Sequence, residues 1–331
     1  MISPPQPVLG IAQRGHLPER PVIVLGMHRS GTSLLAELLD KCGVFGNDES
    51  LPADSRNPRG YWEYAPLVHF NRRLLASIGS HSFLPPADED DLVLCARASE
   101  LPWKNEAARL ASAMRAHDRA WYWKDPRLAV TFPFWQQFWG EPAFVIAVRE
   151  PFDIARSLQK RDGLPISAGL LLWQRYMMRV LRNTETCRPR VFVQYERLLS
   201  EPEAECHRLC TFLSTHCQLG GATAEHQRRE QMISAISPEL RRNANDGSFL
   251  TRPEGTIGQK HLYQHLQSMA DGRNKSFDLD AVEIYPGWRD YLQALADLEE
   301  MRGALRGIES RPLVKIQQRF STRSSTQKLP W

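Results

Sequence analysis

Residues 21–40 constrain the fold of this chain more than any other segment. A short apolar run over 21–26 is typical of a buried strand, and residues 33–40 have the apolar periodicity of a helix. The loop between them, residues 26–33, reads Gly-Met-His-Arg-Ser-Gly-Thr-Ser. A strand that turns through a glycine-containing loop directly into a helix opens many parallel-sheet domains. The segment therefore predicts an α/β fold.

The same alternation of strands and helices continues along the chain. Further strands are predicted at 120–124, 143–148 and 190–195. Helices are predicted at 66–78, 103–117, 151–160, 202–213, 223–242, 259–270 and 286–308. Because strands that alternate with helices form parallel sheets, we expect an α/β fold. It has a P-loop-like central parallel sheet flanked by helices, and a helical C-terminal part.

The charge of the chain is unevenly distributed. The formal net charge is +4, yet no acid follows Glu309, and five bases do: Arg311, Lys315, Arg319, Arg323 and Lys328. Residues 1–309 are therefore near neutral, whereas proteins that coat nucleic acid usually have a basic body. We predict an extended lead-in over 1–20, one domain over 21–308, a basic tail over 309–331 and no specific nucleic-acid partner.

The sequence also favours a cytoplasmic location. Its first twenty residues lack a basic region followed by an apolar run, and no stretch reaches the roughly 18 apolar residues of a membrane-spanning helix. Six cysteines are scattered without a paired framework. Cys206 and Cys210 share a helical face near His207 and His216, but this spacing matches no standard zinc pattern. We predict no transmembrane segment and no metal site.

The loop over 26–33 is suited to binding an anion. Its glycine spacing and Ser33 fit a nucleotide-binding P-loop, but Thr32 occupies the lysine position, and the cation is Arg29 instead. Without that lysine, an ATPase or ordinary kinase is disfavoured. Backbone N–H groups at a helix start, two hydroxyls and an arginine still form an anion cradle. The alternative is an ordinary helix start capped by Ser30 or Thr32.

A second anion site is predicted at the next strand–helix junction. Arg149 ends a strand, and Ser157 lies eight residues later within a helix. An arginine fork and a hydroxyl suit a phosphate with up to two charges. The alternative is that Arg149 pairs with Glu150 or Asp153.

Together these motifs resemble the sulfotransferase family over residues 21–215. The Arg-Ser-Gly-Thr-Ser run resembles its 5′-phosphosulfate loop, Arg149 and Ser157 resemble its 3′-phosphate site, and Tyr195 opens a segment similar to its Tyr-Glu-x-Leu. The resemblance implies 3′-phosphoadenosine 5′-phosphosulfate as the donor, with no metal required. The donor-binding residues would be Arg29, Ser30, Gly31, Thr32, Ser33, Arg149, Ser157 and Tyr195. No clear match to the glycine-rich nucleotide-covering segment is found beyond residue 215.

The run Trp-Lys-Asp-Pro-Arg over 123–127 resembles the Lys-Asp-Pro segment of the tyrosylprotein sulfotransferases. This implies that Lys124 neutralises the leaving phosphate or the transferring sulfuryl group, together with Arg29. The alternative is a strand-end ion pair of Lys124 or Arg127 with Asp125.

The general base is predicted to be Glu63. Tyrosylprotein and heparan-type members have a glutamate some twenty to thirty residues after the loop, and cytosolic members use a histidine. Glu63 ends an Asn-Pro-Arg-Gly-Tyr-Trp-Glu run that resembles bacterial sulfotransferase-like proteins, and its aromatic neighbours would raise its pKa. Glu49, His69 and His81 are the alternatives.

The predicted function is transfer of a sulfuryl group to a hydroxyl or amine acceptor, by an enzyme that is soluble and bacterial. One alternative is a P-loop-type nucleotide-dependent kinase or transferase, and another is a non-catalytic sulfotransferase-like glycan-binding protein. Acceptor selection is expected in loops 44–62 and 79–102 and after 215, with Tyr61, Trp62, Phe83 and Trp103 able to stack on rings. The sequence leaves the acceptor and the oligomeric state open.

Overall fold

The computed structural model describes residues 20–297, apart from 55–56, 58, 117–118, 188, 218, 220–221, 238–247, 274–276, 281, 283–286 and 296. The predicted basic tail over 309–331 lies outside the described residues, as does the predicted lead-in except for its last residue.

The centre of the fold is a sheet of four parallel strands. They are β1 (Val22–Leu25), β2 (Tyr122–Lys124), β3 (Ala143–Val148) and β4 (Arg190–Gln194), in the order β2-β1-β3-β4. Val24 of β1 pairs with Lys124 on one side and with Val145 on the other. Because the strands are parallel, their carboxyl ends lie at one edge of the sheet. At this edge the chain leaves β1 at a position between β2 and β3. Ligands of open α/β sheets bind in the crevice at such a point.

Helices cover both faces of this sheet, and further helices follow its last strand. Their bounds are α1 (Thr32–Lys41), α2 (Ala65–Ala76), α3 (Asp90–Arg97), α4 (Leu101–Arg115), α5 (Leu128–Trp139), α6 (Pro151–Asp162), α7 (Ile166–Thr184), α8 (Tyr195–Ser200), α9 (Pro202–His216), α10 (Ala222–Ala235) and α11 (Ile257–Ala270). A 3₁₀ turn spans Phe249–Thr251, and residues 288–295 are helical. The predicted α/β class and parallel sheet are confirmed.

The core has one layer on each face of the sheet. Ile23, Trp123 and Ile146 point to the face covered by α2, α5 and α7, where the aromatic side chains concentrate. Val22 and Val145 point to the opposite face, against α1, α9 and α10. This alternation follows from the two-residue period of a strand, and it makes the strands apolar throughout because both faces are buried.

Several predicted elements differ from the observed ones. Helices α3, α5 and α7 were not predicted, and α7 is buried over residues 168–181 even at its polar residues Gln174, Arg175 and Arg179. Tyr195 opens α8 rather than closing a strand. Of the segments predicted as helices over 223–242 and 286–308, residues 238–242 and 298–308 lie outside the described residues.

Candidate active site

The loop between β1 and α1 has a backbone that leaves the helix start uncapped. Arg29 and Gly31 have positive φ values of 68° and 92°. Gly31 is the N-cap of α1 and provides no side-chain hydrogen bond. The hydroxyl of Ser30 instead donates to the carbonyl of Met27 at 2.6 Å. Capping by Ser30 or Thr32 is therefore wrong, and no side chain competes with an anion for the first N–H groups of α1.

The two predicted anion sites are brought together. Nε of Arg29 donates to Oγ of Ser157 at 2.8 Å, and Nη1 of Arg149 donates to the carbonyl oxygen of Arg29 at 2.9 Å. Arg149 does not pair with Glu150 or Asp153. Its guanidinium lies 4.3 Å from the centre of the Tyr195 ring.

The same contacts place Tyr195 against the loop. A Cβ on Gly31 would lie 2.5 Å from Cδ2 of Tyr195, so only glycine allows this approach. Burial lowers the pKa of Arg29, and the charges of Arg161 and Arg149 lower it further. A bound anion would relieve this crowding of like charges.

Lys124 joins three segments at the end of β2. Its Nζ donates to Oε1 of Glu63 at 2.7 Å, to the carbonyl of Tyr61 at 2.9 Å and to Oγ of Ser33 at 3.1 Å. Lys124 and Glu63 are only 2% and 6% exposed. The alternative pairing of Lys124 with Asp125 is therefore wrong.

Asp125 has other partners. Its Oδ1 accepts from Nη1 of Arg127 at 2.8 Å, and its Oδ2 accepts from Nδ2 of Asn71 at 2.9 Å. Arg127 thus forms the strand-end ion pair that the sequence offered as an alternative.

Glu63 has the environment of a general base. Burial raises its pKa above the ordinary range, while the charge of Lys124 opposes the increase. Oε1 accepts the hydrogen bond from Lys124, and no described residue donates to Oε2. A carboxylate with one free oxygen and a raised pKa is suited to accept a proton.

The other candidate bases lie elsewhere. His69 is exposed on α2, and Nδ1 of His81 accepts a hydrogen bond from the backbone N–H of Phe83 at 3.2 Å. The backbone carbonyl of Glu49 accepts from Ala65. Unlike Glu63, these three residues do not line the cleft at Lys124.

The cleft itself opens at the carboxyl edge of the sheet. Most predicted site residues line it, including Arg29, Gly31, Thr32, Ser33, Glu63, Lys124, Arg149 and Tyr195. Ser30 and Ser157 are not among the lining residues, although Ser30 belongs to the loop and Ser157 accepts a hydrogen bond from Arg29. Five lysine and arginine side chains and two carboxylates line it, so among the described residues the lining is cationic.

Sequence reasoning missed several lining residues. Arg161 lies four residues after Ser157, a spacing that places both on one face of α6 and could have identified it. His28 is part of the loop motif itself. Arg59 and Glu37 form an ion pair of 2.7 Å across 22 residues, which no local pattern indicates.

A strained segment fixes Glu63. Trp62 has a φ of 57°, which is rare for a bulky residue, and its Nε1 donates to the carbonyl of Arg59 at 3.1 Å. Arg59 also donates to the carbonyl of Ala235, at the end of α10. Strained backbone of this kind clusters at functional sites, because the surrounding contacts maintain it.

Cys206 and Cys210 lie in the core of the fold. Cys206 and Cys210 are buried free thiols, and Sγ of Cys210 lies 3.8 Å from Sγ of Cys42. Within the described ranges, no three His, Cys, Asp or Glu side chains are grouped to hold a metal ion. None of the described helices is long and apolar enough to cross a bilayer.

Comparison with solved structures finds distant likenesses. The chain resembles a sulfotransferase domain from the curacin biosynthetic pathway, with 18% identity, a TM-score of 0.44 and coverage of 76% of this chain and 99% of that one. It also resembles a sulfotransferase domain from the olefin synthase of Synechococcus PCC 7002, with 16% identity, a TM-score of 0.43 and coverage of 84% and 96%. A sulfotransferase from Mycobacterium avium matches at 17% identity, a TM-score of 0.35 and coverage of 83% and 76%.

These structural likenesses are distant, and a search of curated proteins finds no match. The assignment rests instead on the profile described as "Sulfotransferase family", which matches residues 21–218, more than half of the sequence. The chain belongs to the sulfotransferase family.

Proposed function

We propose that this chain is a cytoplasmic bacterial enzyme that transfers a sulfuryl group from 3′-phosphoadenosine 5′-phosphosulfate to a hydroxyl or amine acceptor. The observation that carries the proposal is the meeting of two groups of residues in one cleft. Arg29, Arg149 and Ser157 form a cationic, hydroxyl-bearing set, and the Lys124–Glu63 ion pair lies beside it. The first set suits binding of the donor, and the second suits the reaction.

The residues present fit a donor with phosphate groups. Arg149 and Ser157 would hold the 3′-phosphate, and Arg29 with the uncapped start of α1 would hold the 5′-phosphosulfate. Tyr195, packed on Gly31, would border the nucleotide. Ser30 would keep the loop in shape through its bond to Met27, and Thr32 and Ser33 would add hydroxyl donors.

Glu63 and Lys124 have different roles in the proposed reaction. The bound donor supplies a sulfuryl group whose bond to the 5′-phosphate oxygen breaks as its bond to the acceptor oxygen or nitrogen forms. Oε2 of Glu63 would take the acceptor proton. This neutralises Glu63, so Lys124 loses its ion-pair partner and can turn its charge toward the leaving phosphate oxygen. Arg29 would share that electrostatic role.

Calorimetry with adenosine 3′,5′-bisphosphate tests donor binding. We expect Arg29→Ala and Arg149→Ala each to weaken binding about 10- to 100-fold, because each removes a charged hydrogen-bond donor. Arg72→Ala is the matched control, since Arg72 is exposed on α2. Absence of binding by the folded wild type, or equal binding by all three variants, would overturn the proposal.

Turnover assays distinguish a sulfotransferase from the two alternative functions. Labelled donor and a panel of alcohols, phenols, sugars and amines are incubated with the protein in the presence of a chelator. A sulfotransferase gives labelled product there. A kinase would instead require magnesium and consume ATP. A non-catalytic glycan-binding protein would bind adenosine 3′,5′-bisphosphate without product, and Glu63→Gln would change none of its properties.

A further inference from the structure

One face of α1 extends the cleft beyond the two predicted anion sites. Gly31, Leu34 and Glu37 follow each other at three-residue intervals, so they share one side of the helix, and all three line the cleft. With a rise of about 1.5 Å per residue, the distance from Gly31 to Glu37 is roughly 9 Å. Leu34 lies between them and is buried. The face is therefore apolar at its centre and has room for a flat ring.

Tyr195 lies at the N-terminal end of this face. A Cβ on Gly31 would come within 2.5 Å of Cδ2 of Tyr195, so the ring is in contact with the helix start. The guanidinium of Arg149 lies 4.3 Å from the centre of the same ring. This end therefore adjoins the residues proposed to hold the donor phosphates.

The opposite end of the face is joined to Trp62. Nη2 of Arg59 donates to Oε1 of Glu37 at 2.7 Å, and the carbonyl oxygen of Arg59 accepts from Nε1 of Trp62 at 3.1 Å. Trp62 lines the cleft and packs against the core cluster that contains Leu34. Two aromatic side chains, Tyr195 and Trp62, therefore border this face of α1.

Trp62 holds its ring at the cleft on a strained backbone. Its φ is 57°, and Arg29 of the anion-binding loop is the one other described non-glycine residue with a positive φ. Glycine adopts this conformation without strain. Strained residues of this kind cluster at functional sites and ligand clamps. A half-buried tryptophan at such a position therefore indicates a function for its ring.

The chemistry of this part of the cleft favours a flat aromatic ligand. Stacking on tryptophan and tyrosine stabilises any nucleobase, and Leu34 offers an apolar surface. The cation at this end, Arg59, is already paired with Glu37. Since Tyr195 also adjoins Arg149, the flat ring that suits this place is the one covalently joined to the donor phosphates.

We propose that Leu34, Trp62 and Tyr195 form the slot for the nucleobase of the donor, and that Trp62 stacks on the base. This inference rests on the proposed function. The sequence after residue 215 has no clear match to a nucleotide-covering segment, and Trp62 would take that role. Because Trp62 directly precedes Glu63 in the chain, the same short segment would serve both the donor and the reaction.

Two probes that differ only in the base test the proposal. One is adenosine 3′,5′-bisphosphate, and the other is methyl β-ribofuranoside 3,5-bisphosphate, which has the same two phosphates and a methoxy group in place of adenine. Calorimetry gives the ratio of their dissociation constants. For the wild type we expect the adenine-containing probe to bind at least about 10-fold more tightly.

Variants assign this ratio to the tryptophan ring. Trp62→Ala keeps the strained backbone and removes the ring, so we expect the ratio to fall roughly 10-fold while binding of the base-free probe stays within about twofold. Trp62→Phe retains an aromatic face and should keep most of the ratio. Trp288→Ala is the matched control and should leave the ratio unchanged, because Trp288 is also half-buried but does not line the cleft.

The remaining outcomes contradict the inference. A ratio near one in the wild type, or a ratio that Trp62→Ala leaves unchanged, overturns it. So does a Trp62→Ala enzyme that keeps the ratio and has a raised KM for phenols alone, because the slot would then hold the acceptor. If Trp62→Ala does not fold, Trp62→Gly decides, since glycine adopts a positive φ without strain. Failure of the proposed function is different, because the folded wild type would then bind neither probe.

Discussion

Among single residues, Glu63 and Lys124 are central to the proposed reaction. They come from segments 61 residues apart, and both are almost fully buried. A buried ion pair is costly to desolvate, so its presence beside an open cleft indicates a use beyond stability. The free Oε2 of Glu63 is what separates this pair from a purely structural one.

Replacement of Glu63 by Gln tests the base. We expect kcat to fall by about 10²–10⁴, since the amide cannot accept the acceptor proton. Binding of adenosine 3′,5′-bisphosphate should be unchanged, because the amide oxygen still accepts from Lys124. Steady-state kinetics and calorimetry measure the two quantities.

The pH profile checks the same assignment. The base must be deprotonated, so the rate rises with pH through the pKa of Glu63. Because burial raises that pKa, the acid limb should lie above 4.5. Glu49→Gln serves as the control and should keep both the rate and the limb. A large loss of kcat in Glu49→Gln and none in Glu63→Gln would indicate that Glu49 is the base.

At the scale of elements, the start of α6 brings two acidic side chains together. Glu150 caps α6 by accepting from the backbone N–H of Asp153 at 2.9 Å, and its own N–H donates to Oε1 of Glu196 in α8 at 2.9 Å. Burial is the main cause that raises the pKa of Glu150 to about 6. These contacts connect the strand ends that carry Arg149 and Tyr195.

Glu150→Gln should therefore change how stability depends on pH. A raised carboxyl pKa means that the folded state holds the proton more tightly, so its stabilising effect is full below about 4.5 and is lost as pH rises through about 6. We expect Tm of Glu150→Gln to exceed that of the wild type above pH 6, and the difference to shrink toward pH 4.5. Glu230→Gln, at an exposed site, should show no such trend. An equal difference at all pH values would contradict the assignment.

The loop before α1 gives a second prediction at this scale. Gly31→Ala should lower Tm and weaken adenosine 3′,5′-bisphosphate binding by at least about 10-fold. The φ of 92° strains alanine, and its Cβ would displace the Tyr195 ring. Gly163→Ala is the matched control, because Gly163 also has a positive φ of 74° but nothing lies within 4 Å of its Cβ position. It should lower Tm and leave binding intact. Equal binding losses in both variants would show that strain alone is responsible.

At the scale of the whole molecule, the net charge does not reflect the charge of the cleft. The complete chain has a net charge of only +4, yet the described lining of the cleft has five cationic side chains and two carboxylates. Attraction of an anionic nucleotide to this lining is screened by salt.

Binding of adenosine 3′,5′-bisphosphate should therefore weaken several-fold between 50 and 300 mM NaCl. Arg149→Ala should show a shallower dependence than the wild type, and Arg72→Ala the same one. Calorimetry at several salt concentrations measures these slopes. A flat dependence in the wild type would exclude an electrostatic role for the lining.

Much of the candidate site could be predicted from the sequence, because its residues lie at the ends of strands. Arg149 and Tyr195 follow apolar runs, and parallel strands bring their carboxyl ends to one edge whatever lies between them. The Lys124–Glu63 contact could not be predicted, because it depends on contacts of Asn57 and Tyr61 that no local pattern indicates. Helix α7 is buried even at its polar residues, and this burial depends on contacts with elements that are distant in sequence. The surroundings of His28 could not be predicted either, because Phe83 and Tyr176 are distant in sequence.

The three hydrogen bonds of Lys124 have a consequence for the fate of the donor. In the resting cleft every proton of its ammonium group is engaged, by Ser33, Tyr61 and Glu63. In the proposed reaction, the leaving oxygen of a bound donor would therefore gain this cation only after an acceptor has protonated Glu63. Donor cleavage would then depend on the arrival of an acceptor, and we expect the bound donor to be stable in the cleft until an acceptor binds.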